Sequence, residues 1–179
     1  MYVAYHDTEW GRPVRGDAAL FERLSLEGFQ VGLSWRTVLH KREAFREAFA
    51  GFEPEKVAAF GASDIARLMG NASIIRNRAK IASCIRGAQL VLQLHDQGRG
   101  LSDIIWSFRP ASHRRPDATH GRPDLTPESE AMARELRRIG FRFVGPVNCY
   151  ATMQACGLVN DHLVGCPIGD AIDAANIDA

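Results

Sequence analysis

Ile139-Gly140-Phe141-Arg142-Phe143-Val144-Gly145-Pro146 decides the reading of the fold, because helical segments flank it on both sides. Upstream, Thr126-Pro127-Glu128 starts a helix with proline at the first helical position and an acid in the positive first turn. That helix runs to Ile139 and stops at Gly140; downstream, Val147 to about Ala155 reads as another. Gly145 allows another backbone to come close, and the N–H groups before the last helix point outward at its positive end. Main-chain amides arranged this way can hold a phosphate without reading sequence, and Arg137, Arg138 and Arg142 add positive charge nearby. An ordinary αα-hairpin with glycine caps carries the same pattern.

Working outward, every periodic segment is helical in spacing, and no run alternates in the manner of a strand. Helices are expected over Asp17–Val31, over Trp35–Phe49 with Ser34 as cap, and from Pro54 to near Phe60. Ser63 is placed to cap a short helix closed by Gly70, a long helix covers Asn77–Gln97, and Leu101–Phe108 is a further short one. Arg109–Thr126, with Pro110, Pro116, Gly121 and Pro123, reads as a loop. The expectation is an all-α domain of roughly eight short helices over residues 1–166, with an unstructured tail over 167–179.

The 179 residues carry a formal net charge of +1, with 46% hydrophobic and 24% charged side chains, which excludes collagen, coiled coil and wholesale disorder. No stretch approaches the ~18 consecutive apolar residues of a membrane span. Met1 to Asp7 lacks the basic and apolar regions of a secretion signal, so a cytosolic (cytoplasmic) protein is expected. Four cysteines in a chain of this size suit packed thiols or metal ligands better than a disulfide framework.

Within Asp17–Val31, the residues Leu20, Leu24, Glu27 and Val31 share one face, three apolar and one a carboxylate, with Glu22 and Arg23 read on the solvated side. A carboxylate on an apolar face is either satisfied by local N–H groups or lines a pocket, ready for a polar or cationic ligand. Tyr2, Tyr5, Trp10 and Trp35 can stack on a flat base or fill a core. His162 and Cys166 have the spacing of a metal-ligand pair, with His6 a third candidate. Arg76, Arg78 and Lys80 open the long helix as a solvated face or as phosphate contacts.

Several of these stretches together resemble the DNA-3-methyladenine glycosylase I family of the helix-hairpin-helix glycosylase superfamily. They are Ala4-Tyr5-His6-Asp7 with Glu9-Trp10-Gly11, Leu26-Glu27-Gly28 with Gly32-Leu33-Ser34-Trp35, and Ile74 to Ile81. Trp106-Ser107-Phe108, Gly140 to Pro146 and Met153 to His162 complete the set, so that the resemblance spans Tyr2 to Cys166. It implies a monofunctional glycosylase that flips 3-methyladenine out of alkylated double-stranded DNA and hydrolyses its N-glycosidic bond. Glu27 then hydrogen-bonds the base, Tyr5 and Trp35 stack on it, and Trp10 and Tyr2 line the pocket. Arg142, Phe143, Val144 and Gly145 form the hairpin that holds the DNA backbone. His6, His162 and Cys166 become three ligands of a structural zinc joining the two chain ends. The family's fourth ligand, a cysteine upstream of Tyr5-His6-Asp7, is absent from this chain: either the true start lies further upstream, which is favoured, or the site keeps three protein ligands plus water, or it holds no zinc. Some superfamily members carry a nucleophilic lysine just after the hairpin; Gly145-Pro146-Val147-Asn148 has none, which argues against a strand-nicking step. The alternative is a helix-hairpin-helix DNA-binding module that has lost activity. The protein is expected to act as a monomer, with no membrane partner.

Overall fold

The computed structural model describes residues 1–177, and among them every regular element is a helix. In chain order they are α1 (Tyr2–Thr8), α2 (Asp17–Gln30), α3 (Trp35–Ala48), α4 (Pro54–Ala58) and α5 (Ala62–Gly70). There follow α6 (Arg78–Asp96), α7 (Leu101–Trp106), α8 (Pro127–Ile139), α9 (Pro146–Ala155) and α10 (Pro167–Ile177), with one 3₁₀ turn at Ala50–Phe52. No helix among the described residues is long and apolar enough to cross a membrane.

The caps explain most boundaries. Ser34 Oγ accepts from the Thr37 N–H at the start of α3, and Asn77 Oδ1 accepts from the Lys80 N–H at the start of α6. Thr126 and Ser129 exchange side-chain and backbone bonds at the start of α8, and Gly140 ends it with φ 119°, a left-handed conformation. One cap differs from its expected position: α5 starts from Gly61, whose N–H donates to Asp64, and Ser63 lies inside the helix.

Two helices lie outside the sequence reading. α1 has no side-chain cap and forms around the buried ring of Tyr5. α10 occupies most of the expected unstructured tail. Arg115, from the long loop, bonds Asp170 and Asp173 on α10 and the carbonyls of His162 and Leu163 before it. Asn160 Nδ2 donates to Gly169 O and Asp173 Oδ1, and Ile172 is buried. Contacts from distant residues hold this segment helical, and none of them shows as local periodicity.

α2 is the central element, packed on α3, α6, α7 and α9. Its apolar residues join a core that includes Phe21, Phe29, Phe45, Phe49 and Phe52, all at most 1% exposed. Asp17 at its start accepts from the Leu101 and Ser102 N–H groups, capping α7, and from His95. Its end is fixed by Lys80. The sequence suggested a phosphate-facing cation there, but the Lys80 side chain turns inward, and its Nζ donates to Phe29 O and Val31 O. Only Arg76 and Arg78 of that basic trio stay exposed. Lys80 therefore satisfies the last carbonyls of α2 and fixes the turn that carries Trp35. Lys80→Met is expected to destabilise the protein by about 2 kcal/mol in denaturant unfolding, whereas Arg76→Ala and Arg78→Ala stay within about 0.5 kcal/mol of the parent.

Candidate functional site

Glu27 lies in the middle of α2 and is 4% exposed. Burial raises its carboxyl well above the ordinary range, to about 8, opposed by the charge of Arg23. Oε2 is buried without a hydrogen-bond partner. Its backbone is tied to α9, where Asn148 Nδ2 donates to Glu27 O at 2.9 Å. Arg23 lies four residues before Glu27, which puts it one turn away on the same face of the helix rather than on the solvated side. Val31, expected on the buried face, falls just beyond the end of α2 and is 40% exposed.

Around Glu27 opens a cavity of about 440 Å³, within the range of small-molecule sites. Tyr5, Trp10, Trp35 and the half-exposed Tyr2 all line it, so the carboxyl and aromatic residues picked out in the sequence converge on one place. The Tyr5 and Trp35 rings stand 5.5 Å apart and tilted by 46°, forming a corner rather than a parallel clamp. Burial raises the Tyr5 hydroxyl, so it stays protonated. Trp35 Nε1 is a buried donor without a partner. One orphan acceptor and one orphan donor on the walls of one cavity are the pattern of a site shaped for a polar, planar ligand.

The aromatic side of the cavity is held by ion pairs. Arg42 grips Glu9 with two bonds, Nη1 to Oε2 at 2.7 Å and Nη2 to Oε1 at 2.8 Å, and Arg23 Nη2 adds a third to Oε2 at 2.9 Å. These bonds hold the Glu9 carboxyl far below its usual range, at about 2. They fasten the end of α1, and with it Tyr5 and Trp10, to α2 and α3.

Sequence reasoning missed several lining residues. Tyr150, Ala151 and Gln154 form the inward face of α9, and Arg122 and Asp124 reach the exposed mouth from the long loop. The Arg122 guanidinium lies 5.7 Å from the Trp10 ring centre. Helical spacing along α9 carried the signal for Tyr150 and Gln154, polar residues four apart on the face that turns inward.

The residues proposed for zinc come together only in part. His6 and His162 meet edge to face, with ring centres 4.6 Å apart, and both pack on Trp10. His162 Nδ1 is paired with Asn160 Oδ1, and His6 Nδ1 with Asp7. Cys166, at the foot of α10, does not join them. Among the described residues no three His, Cys, Asp or Glu side chains form a metal-holding group, so as placed these residues do not fit a zinc ion.

Between α8 and α9, Phe141 and Val144 are buried, Arg142 is exposed, and Phe143 takes φ 57°, a left-handed conformation uncommon for a bulky residue. Gly145 itself has an ordinary φ of −76°, and a Cβ there would meet protein atoms only at ordinary contact distance. Its lack of a side chain is therefore not required by the packing.

The raised carboxyl of Glu27 has a consequence for stability. The native protein keeps a proton that the unfolded chain releases in the ordinary carboxylate range, so the burial cost grows with pH up to about 8. Glu27→Gln removes the titration. Its gain in melting temperature over the parent is expected to be small at pH 5 and to exceed about 3 °C at pH 8, measured by thermal unfolding across that range. A gain independent of pH would show that the carboxyl is not held protonated.

A sequence profile described as methyladenine glycosylase matches residues 1–169. DNA-3-methyladenine glycosylase 1 of Escherichia coli strain K12 is 47% identical over 171 residues, covering 93% of this chain and 90% of the relative. A crystal structure of 3-methyladenine DNA glycosylase I superposes with a TM-score of 0.89 at 45% identity, covering 93% of this chain and 92% of that one. A Staphylococcus aureus structure, described as giving the structural basis of 3-methyladenine recognition, superposes with a TM-score of 0.88 at 36% identity over 94% and 90%. With its profile matched over nearly the whole length and close relatives on both counts, the chain belongs to the methyladenine glycosylase family.

Proposed function

We propose that this chain removes 3-methyladenine from alkylated double-stranded DNA by hydrolysing the bond between the base and its sugar. What carries this reading is the buried, unpartnered carboxyl of Glu27 at the foot of an aromatic cavity. Relatives named for this base support the choice of substrate.

Methylation at N3 gives adenine a positive charge, so the base departs with the bonding electron pair as a neutral leaving group. Water adds at the sugar carbon and its proton passes to solvent. Little acid assistance is needed. The protein's task is to take the base out of the stack and hold it where the charge is favoured. Glu27 gives up its proton to solvent when the cationic ring arrives, and the carboxylate then accepts from the exocyclic amino group of the base. Tyr5 and Trp35 supply flat faces for stacking and cation–π contact, with Trp10 and Tyr2 completing the walls. Zinc enters none of these steps.

The DNA itself is held by the helix-hairpin-helix formed by α8, the turn and α9. Main-chain amides from Arg142 to Gly145, at the positive end of α9, receive a phosphate, and the exposed Arg142 adds charge. No lysine follows the hairpin, in keeping with base removal alone.

Two measurements test the reading. Glu27→Gln is expected to lower the rate of 3-methyladenine release from methylated DNA by about 10²-fold or more, quantified by chromatography of the freed base; release at the parent rate would remove Glu27 from the mechanism. Gly145→Ala leaves the fold intact, since its Cβ meets no tight contact, but intrudes on the phosphate. Its affinity for abasic DNA is expected to fall about tenfold regardless of sequence, and an unchanged dissociation constant would refute the hairpin's role.

A further inference from the structure

Arg122 is the only lysine or arginine among the described residues that line the cavity, and it stands exposed at the mouth. Its guanidinium lies 5.7 Å from the Trp10 ring centre. Among the described residues no ion pair uses it, and Asp124 at the same mouth is not joined to it. The segment that carries it is tied down on both sides. Upstream, Pro116 O accepts from the Val164 N–H at 2.9 Å, and Asp117 Oδ1 accepts from the Thr119 and His120 N–H groups. Downstream, Thr126 caps α8. The Gly11 N–H donates to Gln154 O, which sets Trp10, and Arg122 beside it, near the end of α9 opposite the hairpin.

A cation at this place is at odds with the rest of the site. The cavity favours a positively charged base, and a bare guanidinium at its mouth works against that base's approach. The conflict ends when an anion neutralises the guanidinium. An extruded base brings one, because it stays bonded to its sugar, and the sugar carries a phosphate on either side. With the base lodged beside Glu27, the sugar fills the mouth and the phosphates lie along its rim.

We propose that Arg122 binds a backbone phosphate next to the extruded nucleotide, as a second DNA contact on the rim away from the hairpin. This rests on the glycosylase reading above and adds to it a DNA-binding residue in the long loop. The strand is then held at two points, by the hairpin amides at the start of α9 and by Arg122 near its end. A guanidinium suits the task, since its planar fork meets two phosphate oxygens at once. Its face packs toward Trp10 and leaves the edge donors free. Pairing with the phosphate also cancels the repulsion, so that a cationic base is admitted when it arrives attached to DNA.

Titration of the parent and of Arg122→Gln with double-stranded DNA holding an abasic site, over a range of salt concentrations, tests the proposal. Loss of one phosphate contact is expected to weaken binding about fivefold at low salt. The slope of log affinity against log salt is expected to become shallower by about one. Binding of free 3-methyladenine, followed by tryptophan fluorescence, is expected to stay at the parental value, because that ligand brings no phosphate. A parental DNA affinity and salt slope in Arg122→Gln overturn the proposal. So does an equal loss for DNA and for the free base, which would make Arg122 a prop for Trp10. Either result leaves the glycosylase reading intact, whereas a parent protein that releases no 3-methyladenine from methylated DNA defeats both.

Discussion

Burying the Glu27 carboxyl sets the conditions for everything around it. An acid taken out of water, with one oxygen lacking a partner, is costly to ionise, and in the free protein it holds its proton until about pH 8. The group is thus a burden on the empty fold and a source of binding once a cation enters, because the ring's positive charge makes ionisation favourable at the point of contact. This is the trade of stability for activity common at functional sites. It also explains why the acid sits mid-helix in a packed element rather than on a loop, where it would swing into solvent.

Keeping it there takes several independent ties. α2 is packed on four other helices, its start is bound to α7 through Asp17, and its end is fixed by the Lys80 ammonium. Asn148 ties the Glu27 backbone to α9, so the helix that follows the hairpin is joined directly to the helix that carries the acid. On the other side of the cavity, the gripped carboxylate of Glu9 fastens α1 to α2 and α3, and the short α1 gains from that anchor an order its own sequence does not provide. Aromatic walls around a ligand must be rigid to gain from stacking, since ordering loose side chains on binding consumes the energy gained.

Much of this was legible in the sequence, where local chemistry decides structure. Ser34, Asn77 and Thr126 mark helix starts because a side-chain oxygen must meet free N–H groups there, and Gly140 marks an end because a left-handed residue is needed. The meeting of Glu27 with Tyr5 and Trp35 was foreshadowed by an acid on an apolar face and by family motifs. The illegible parts turn on long side chains and distant partners. Lys80 and Arg23 look like surface cations in one dimension, but each has a stem long enough to carry its charge to an interior acceptor. α10 depends on Arg115, more than fifty residues away in a loop that shows no periodicity. The bond from Gln154 Nε2 to Asp161 Oδ2 is hidden for another reason: seven residues apart across the end of α9, the two meet only because the chain doubles back after Ala155.

The positive charge on a methylated adenine is used twice. In the proposed function it makes the base a good leaving group, and it draws the proton from Glu27. An undamaged adenine swung into the same cavity brings the same amino group and the same flat faces, but no charge. Its bond to the sugar stays strong, and the carboxyl opposite it stays protonated, so binding and chemistry fail together. Discrimination of this kind needs no pocket that excludes adenine by shape, which would be a poor basis for telling bases apart by a single methyl group. It needs a buried acid poised near neutrality, and the packing around α2 provides one.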